Sequence, residues 1–189
     1  MKFFVRLFYL MALSFGCKAQ ALTFDLNIFY YTDALAATTD SDYKRTIYDF
    51  AIMLNLNRKG SLVLGWSYAS VAADDTASST TTSYSSTEMG PRFGYYFDRN
   101  FLWSFFFTYN LQAKSDYSSG SSTAEWRGTS MKGELGYMPQ WNEQFQAGVK
   151  LNYYKSTYNE QITNSTTLTS VSNGRTMIYP SLAFVYRFN

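Results

Sequence analysis

Phe101-Leu102-Trp103-Ser104-Phe105-Phe106-Phe107-Thr108-Tyr109-Asn110-Leu111-Gln112-Ala113 puts Phe101, Trp103, Phe105, Phe107 and Tyr109 on one side of an extended chain. Ser104, Phe106, Thr108, Asn110 and Gln112 fall on the other side. A period of two is the mark of a strand with one apolar face. The run is also long. Strands of soluble proteins average about 5 to 6 residues, whereas a tilted strand that crosses a bilayer needs about 9 to 11.

The same alternation recurs at 23–33, 43–56, 61–71, 84–97, 126–138, 144–157 and 176–188, making eight segments with 101–113. None has the period of a helix. Between them, 57–60, 98–100 and 139–143 are tight turns, while 34–42, 72–83, 114–125 and 158–175 are long and rich in Ser, Thr, Asp and Asn. Short and long connections therefore segregate to opposite ends. An even number of strands with this asymmetry predicts an all-β fold, an eight-stranded antiparallel transmembrane up-and-down β-barrel.

The second face decides between a lipid-facing and a water-facing exterior. The apolar register collects Phe24, Leu26, Ile28 and Tyr30, then Tyr48, Phe50, Ile52 and Leu54, and continues through Leu64, Trp66, Tyr68, Phe93, Tyr95, Leu135, Leu151, Tyr153, Leu182 and Phe184 without a charge. Its opposite carries Asp25, Arg45, Asp49, Glu88, Arg92, Lys132, Glu134, Lys150 and Arg187, together with Gln112, Gly65, Gly90, Gly94, Gly136 and Gly148. Small and mixed-charge residues suit a narrow polar lumen, because about eight strands enclose little more than side chains. Reversing the faces would place Lys132 in lipid at about 2 to 4 kcal/mol near the midplane.

Composition narrows the functions. The 189 residues contain no histidine and one cysteine, Cys17, which removes the commonest general base and any Cys-rich zinc site. Residues 1–21 read as a signal peptide, with Lys2 and Arg6, an apolar stretch at 7–15 and Ala19-Gln20-Ala21 before the cleavage point. Acylation of Cys17 is the competing reading, against which Phe15 stands where lipoprotein sites favour small residues. Removing Lys2, Arg6 and Lys18 takes the 16 basic residues to 13 against 14 acidic ones, so the barrel domain, 22–189, is nearly neutral. Nucleic acid is not an expected partner. No cofactor is expected, and a monomer is.

The final strand, Ser181-Leu182-Ala183-Phe184-Val185-Tyr186-Arg187-Phe188, gives the most specific likeness. The chain resembles the small eight-stranded outer-membrane barrels, the group of the OmpA transmembrane domain, OmpX and OmpW. By that resemblance Ser181, Ala183, Tyr186 and Phe188 are the signal read by the barrel-assembly machinery, with Ala183 standing where Gly is usual and Asn189 added after the last aromatic. The resemblance implies the outer membrane of a Gram-negative bacterium, export by the signal peptide, and contact with outer-membrane lipid and lipopolysaccharide. Barrel enzymes of this kind use a catalytic histidine, which this chain lacks. Pro91 and Pro180 lie inside strands, where each lacks a ladder donor, and a bulge is expected near each.

The lumen carboxylates are expected to be structural partners of the lumen cations rather than an acid/base pair, since buried charges are normally paired. Arg92, Lys132, Lys150 and Arg187 are expected to meet Asp49, Glu88 and Glu134. The low-complexity stretches 76–87 and 115–123 read as solvated loops, which could recognise a cell-surface or phage ligand. Asp40 and Asp42, or Asp74 and Asp75, offer a weak divalent-cation site, and Asn164-Ser165-Thr166 matches a glycosylation acceptor. Function is thus expected to be non-enzymatic, a scaffold presenting four extracellular loops for surface interaction or envelope integrity. The alternative is a narrow channel for ions or small apolar solutes, with Phe29, Tyr31, Phe106 and Tyr154 lining an upper lumen.

Overall fold

The computed structural model describes residues 22–35, 41–57, 59, 61–77, 80–98, 100–120, 122–163 and 167–188, so the expected signal segment, Asp40 and Asn164-Ser165-Thr166 lie outside the described residues. Eight strands run β1 (Leu22–Leu35), β2 (Ser41–Asn55), β3 (Leu62–Ala77), β4 (Thr80–Tyr96), β5 (Trp103–Ser119), β6 (Ser122–Tyr137), β7 (Phe145–Thr163) and β8 (Thr167–Arg187). Each is antiparallel to the next, and β8 returns to β1 to close an up-and-down barrel.

The side chains are arranged inside out. Exterior residues such as Leu26, Phe50, Ile52, Leu64, Phe93, Phe105, Phe107, Leu135, Leu151 and Leu182 are exposed by 36% or more of their surface, while Asp25, Asp49, Arg92, Lys132, Glu134 and Lys150 are buried. Exposed tyrosines bound this band on one side, at Tyr30, Tyr48, Tyr68, Tyr109 and Tyr153, and Tyr95, Phe97, Trp103, Tyr137 and Phe188 bound it on the other. The second belt lies at the end where β1 begins and β8 ends, here the terminal end; the opposite end is distal.

The expected long loops are corrected. Residues 72–77, 80–83, 114–119, 122–125, 158–163 and 167–175 are strand, leaving only two or three residues between partners at three distal turns. Ser/Thr-rich polar strands can pair here because the distal extensions bury little and are held by ladder bonds and by hydroxyl pairs such as Thr76–Thr81 at 3.0 Å. The connections still differ between ends, but through strand overshoot rather than loop length.

One extra residue in β5 changes which residues face in. The register steps from Met89↔Gln112 to Arg92↔Thr108 against β4, and from Asn110↔Ser130 to Ala113↔Gly128 against β6. Leu111 and Gln112 are both exposed, after which Ala113 and Ser115 are buried. Gln112 therefore leaves the lumen set, since a bulge breaks the strict alternation on which its assignment rested. Pro91 lies at this shift, with Trp66 as its β3 partner. At Pro180 the expected bulge is absent: the β7–β8 register runs unbroken from Phe145↔Tyr186 to Tyr158↔Asn173. Instead the β1–β8 ladder stops at Ile28↔Leu182. The Phe188 N–H donates to the Leu22 carbonyl and the Arg187 N–H to Gln144, so even-numbered donors of β8 point at β1. Pro180 is the next such position, and it has no N–H to give.

The turn from β4 to β5 is held by Asp98, whose carboxylate accepts from the N–H groups of Leu102 (3.0 Å) and Trp103 (2.8 Å). Phe101 follows at φ 56°, a region costly for a non-glycine residue. Its ring packs edge-on to Tyr96 at 5.3 Å and beneath the Arg187 guanidinium at 3.6 Å, contacts that hold it there.

Candidate functional site: the barrel interior

Five strands supply the central layer. Arg92 from β4 donates through Nη2 to Asp25 (2.6 Å) and to Glu134, and through Nη1 to Asp49 (2.8 Å). Lys132 from β6 meets Asp49 and Glu134, the latter at 2.6 Å, and Lys150 from β7 meets Asp25 at 2.5 Å and Glu134 at 3.6 Å. Asn27 and Ser67 donate to the remaining capacity of Asp49 at 3.2 and 3.0 Å. Three cations thus face three carboxylates in one buried, formally neutral cluster. The carboxylates come from β1, β2 and β6 and the cations from β4, β6 and β7, so the two signs meet across the lumen.

Two expected members lie elsewhere. Glu88 is buried one layer toward the distal end, where it accepts from Tyr154, Ser86 (3.0 Å), Asn110 (3.0 Å) and Ser130 (2.5 Å), and it makes no ion pair among the described residues. Neutral donors satisfy this carboxylate because Arg92 is two rungs away and already engaged. Arg187 stacks on Tyr96 at 4.3 Å and on Phe101 near the terminal end and makes no ion pair among the described residues. Asp25 takes the place expected of Glu88, and three cations rather than four suffice.

Apolar layers seal the polar ones. On the terminal side Phe106 lies under Arg92 and Lys150, with its ring centroid 4.7 Å and 4.4 Å from their charged ends, and packs with Met53, Val63 and Tyr96. Gly94 makes room for it: a Cβ there would come 2.3 Å from the Phe106 ring. Phe106 is therefore a floor of the lumen and not part of an upper lining, and Tyr31 is exposed at the distal rim. Phe29 and Tyr154 do pack distally, with Ile47, Val71, Tyr84, Met177 and Tyr179. Tyr84, Tyr158 and Ser115 share a hydroxyl cluster with contacts of 2.6 to 3.1 Å.

Arg45 is half-buried at the distal mouth, and a second arginine, Arg175 of β8, lies near it. Arg175 escaped sequence reasoning because 158–175 read as loop; its inward parity with Met177 and Tyr179 was the available signal. Leu182–Arg187 pair with β1, while Ser181 accepts from Asn152 of β7 (2.9 Å) inside, Ala183 is buried, and Tyr186 and Phe188 pack edge to face outside at 4.7 Å.

Asp74 and Asp75 are successive residues of β3, with side chains on opposite faces, and Asp42 pairs with Lys44 at 2.8 Å; no metal-holding cluster forms among the described residues. On the distal exterior Glu125 bridges Lys114 (3.0 Å) and Arg127 (2.7 Å). Hydrogen bonds from Lys114 and then Arg127 hold its carboxyl below the usual range. The hydrogen bond to Asp42 likewise raises the Lys44 ammonium.

No known family matches the chain, and no curated protein does. Solved structures do. Neisserial surface protein A is similar at 14% identity with a TM-score of 0.50, over 92% of this chain and 99% of that one. The translocator domain of the autotransporter NalP from Neisseria meningitidis gives 11% identity and a TM-score of 0.45, over 95% of this chain and 66% of that one. What the first likeness establishes is the fold, eight antiparallel up-and-down strands in a closed ring.

Proposed function

We propose that the chain is an outer-membrane barrel of a Gram-negative bacterium, non-enzymatic, whose rigid body presents its distal strand extensions for surface interaction or envelope integrity. The observation that carries this is the inversion of the wall: a belt-bounded apolar exterior around a sealed, neutral cluster of six charges. Water would not stabilise such an exterior, whereas lipid would, with the tyrosine belts at its two interfaces. The lipopolysaccharide leaflet meets the distal exterior, and Ser181, Ala183, Tyr186 and Phe188 serve recognition by the assembly machinery. Surface interaction then rests on hairpin tips and polar strand faces rather than on four long loops.

Buried, packed side chains of the described residues fill the layers above and below the charge cluster, which favours the scaffold over the narrow channel. The chain should be expressed with its first 21 residues in a Gram-negative host and its envelope fractionated. Recovery in the outer membrane, with a folded band that migrates differently before and after boiling, is expected; recovery as a soluble periplasmic protein would refute the proposal. In planar bilayers the purified barrel should stay silent, and steady single-channel steps would favour the channel.

A further inference from the structure

Most of the interior charge is matched, but the distal mouth is different. Arg45 of β2 stands in register with Ala73 and, through it, with Tyr84, and the guanidinium of Arg175 from β8 reaches that same Tyr84 ring. Each rests on an aromatic face, Arg45 5.0 Å from the Tyr43 centroid and Arg175 4.0 Å from that of Tyr84. Among the described residues neither forms an ion pair or a hydrogen bond, and Arg45 Nε and Arg175 Nη1 are buried without a partner. Asp33 and Asp75 stand further out, exposed, and reach neither guanidinium within ion-pair distance. Two partly desolvated guanidiniums at one level of the mouth, with donors to spare, suit a carboxylate or phosphate.

The wall beside them is open. β1 and β8 pair only over Thr23–Ile28 and Leu182–Arg187, yet β1 continues to Leu35 and β8 begins at Thr167. Beyond Pro180 the facing edges have no ladder between them. Phe29 and Tyr179, with ring centroids 5.2 Å apart, close the inner part of this seam, while Tyr30 and Ile178 flank it outside, Ile178 at 71% exposure. Arg175 lies five residues from Pro180 on the same strand. The seam thus joins a cationic pocket inside to an apolar surface outside.

We infer that the distal mouth binds an anionic amphiphile, its carboxylate or phosphate held between Arg45 and Arg175 and its chain passing out through the β1–β8 seam onto Tyr30 and Ile178. An uncharged amphiphile lacks the group the arginines require. The inference rests on the membrane reading above.

The test uses the folded barrel in neutral detergent and phosphate-free buffer, with dodecyl phosphate as the probe and inorganic phosphate as comparison, followed by calorimetry. Dodecyl phosphate should bind and inorganic phosphate much more weakly. Arg45→Gln and Arg175→Gln should each weaken binding by about ten-fold or more, as expected for loss of a charged hydrogen bond, whereas Arg→Lys at either position retains part of it and Lys44→Gln on the exterior changes nothing. A chain-end spin label should broaden the amides of 29–32 and 177–179 selectively. Equal affinity for inorganic phosphate would overturn the amphiphile, binding that survives both Gln variants would overturn the site, and broadening spread evenly around the barrel would overturn the seam. Each variant is first checked for the heat-dependent gel shift. A folded barrel that fails to bind counts against this site alone, and a chain that never enters the membrane counts against the function proposed above.

Discussion

Replacing Glu134 by Gln removes one of three carboxylates from a cluster of three cations. Glu134 accepts from Arg92 and from Lys132 at 2.6 Å and stands 3.6 Å from Lys150, with no exposed side-chain surface. The variant keeps the shape but leaves one positive charge uncompensated in the barrel interior. Breaking a buried pair from one side costs about 3 to 5 kcal/mol. That corresponds to roughly two to nearly four decades in the unfolding equilibrium. Glu160→Gln, on the exposed distal part of β7, should stay within about 0.5 kcal/mol. The double variant Glu134→Gln, Lys132→Met restores neutrality and should recover about 1 kcal/mol or more relative to the sum of its single changes. Equilibrium urea unfolding in detergent or vesicles, read by tryptophan emission and by the gel shift, gives the midpoints of the unaltered chain, the three single variants including Lys132→Met, and the double variant. Equal midpoints for Glu134→Gln and Glu160→Gln, or a double variant as unstable as the sum, would refute the argument that charge balance holds the interior together.

Three further outcomes are expected. Pro180→Ala supplies the missing N–H opposite the Tyr30 carbonyl, so the amide introduced at position 180 should exchange about ten-fold or more slowly than an unbonded amide, consistent with about 1.4 kcal/mol of protection; free exchange there would mean that something other than the absent N–H ends the ladder. Gly94→Ala drives a methyl into the Phe106 ring and should destabilise by about 1 to 3 kcal/mol, with Phe106→Leu relieving it in the same background. Glu125 is held below its usual range by Lys114 and then Arg127, so its pairing is present at neutral pH and is lost as pH falls through that lowered value. An NMR titration should place its midpoint below 4.5 and move it upward in Lys114→Gln.

The barrel was legible because the two faces of each strand differ in chemistry: Phe105 and Phe107 could only share a side, and Lys132 and Glu134 could only share the other. Where alternation fails, sequence reading failed with it. The bulge in β5 moved Gln112 outside, because one inserted residue shifts parity without changing composition. Thr, Ser and Asp in 76–87 and 115–123 resembled solvated loop, since hairpin extensions outside an apolar band need no greasy face. That same confusion concealed Arg175. The lumen ions were recognisable as a set, but partnership depends on the height of each residue on a tilted wall. This put Asp25 beside Arg92 and left Glu88 among hydroxyls and amides.

The central cluster also has an order in time, since a chain delivers its strands one after another. β1 and β2 bring two negative charges, Asp25 and Asp49; β4 offsets one with Arg92; β6 adds Lys132 and Glu134, which leave the tally unchanged. Only Lys150, on the seventh strand, brings the total to zero. A sheet of six strands would therefore curl around an excess carboxylate, and the ring has its lowest electrostatic cost when the strand that must meet β8 is already in position. Neutrality arrives one strand before closure, so the interior acts as a count of strands as well as a filling.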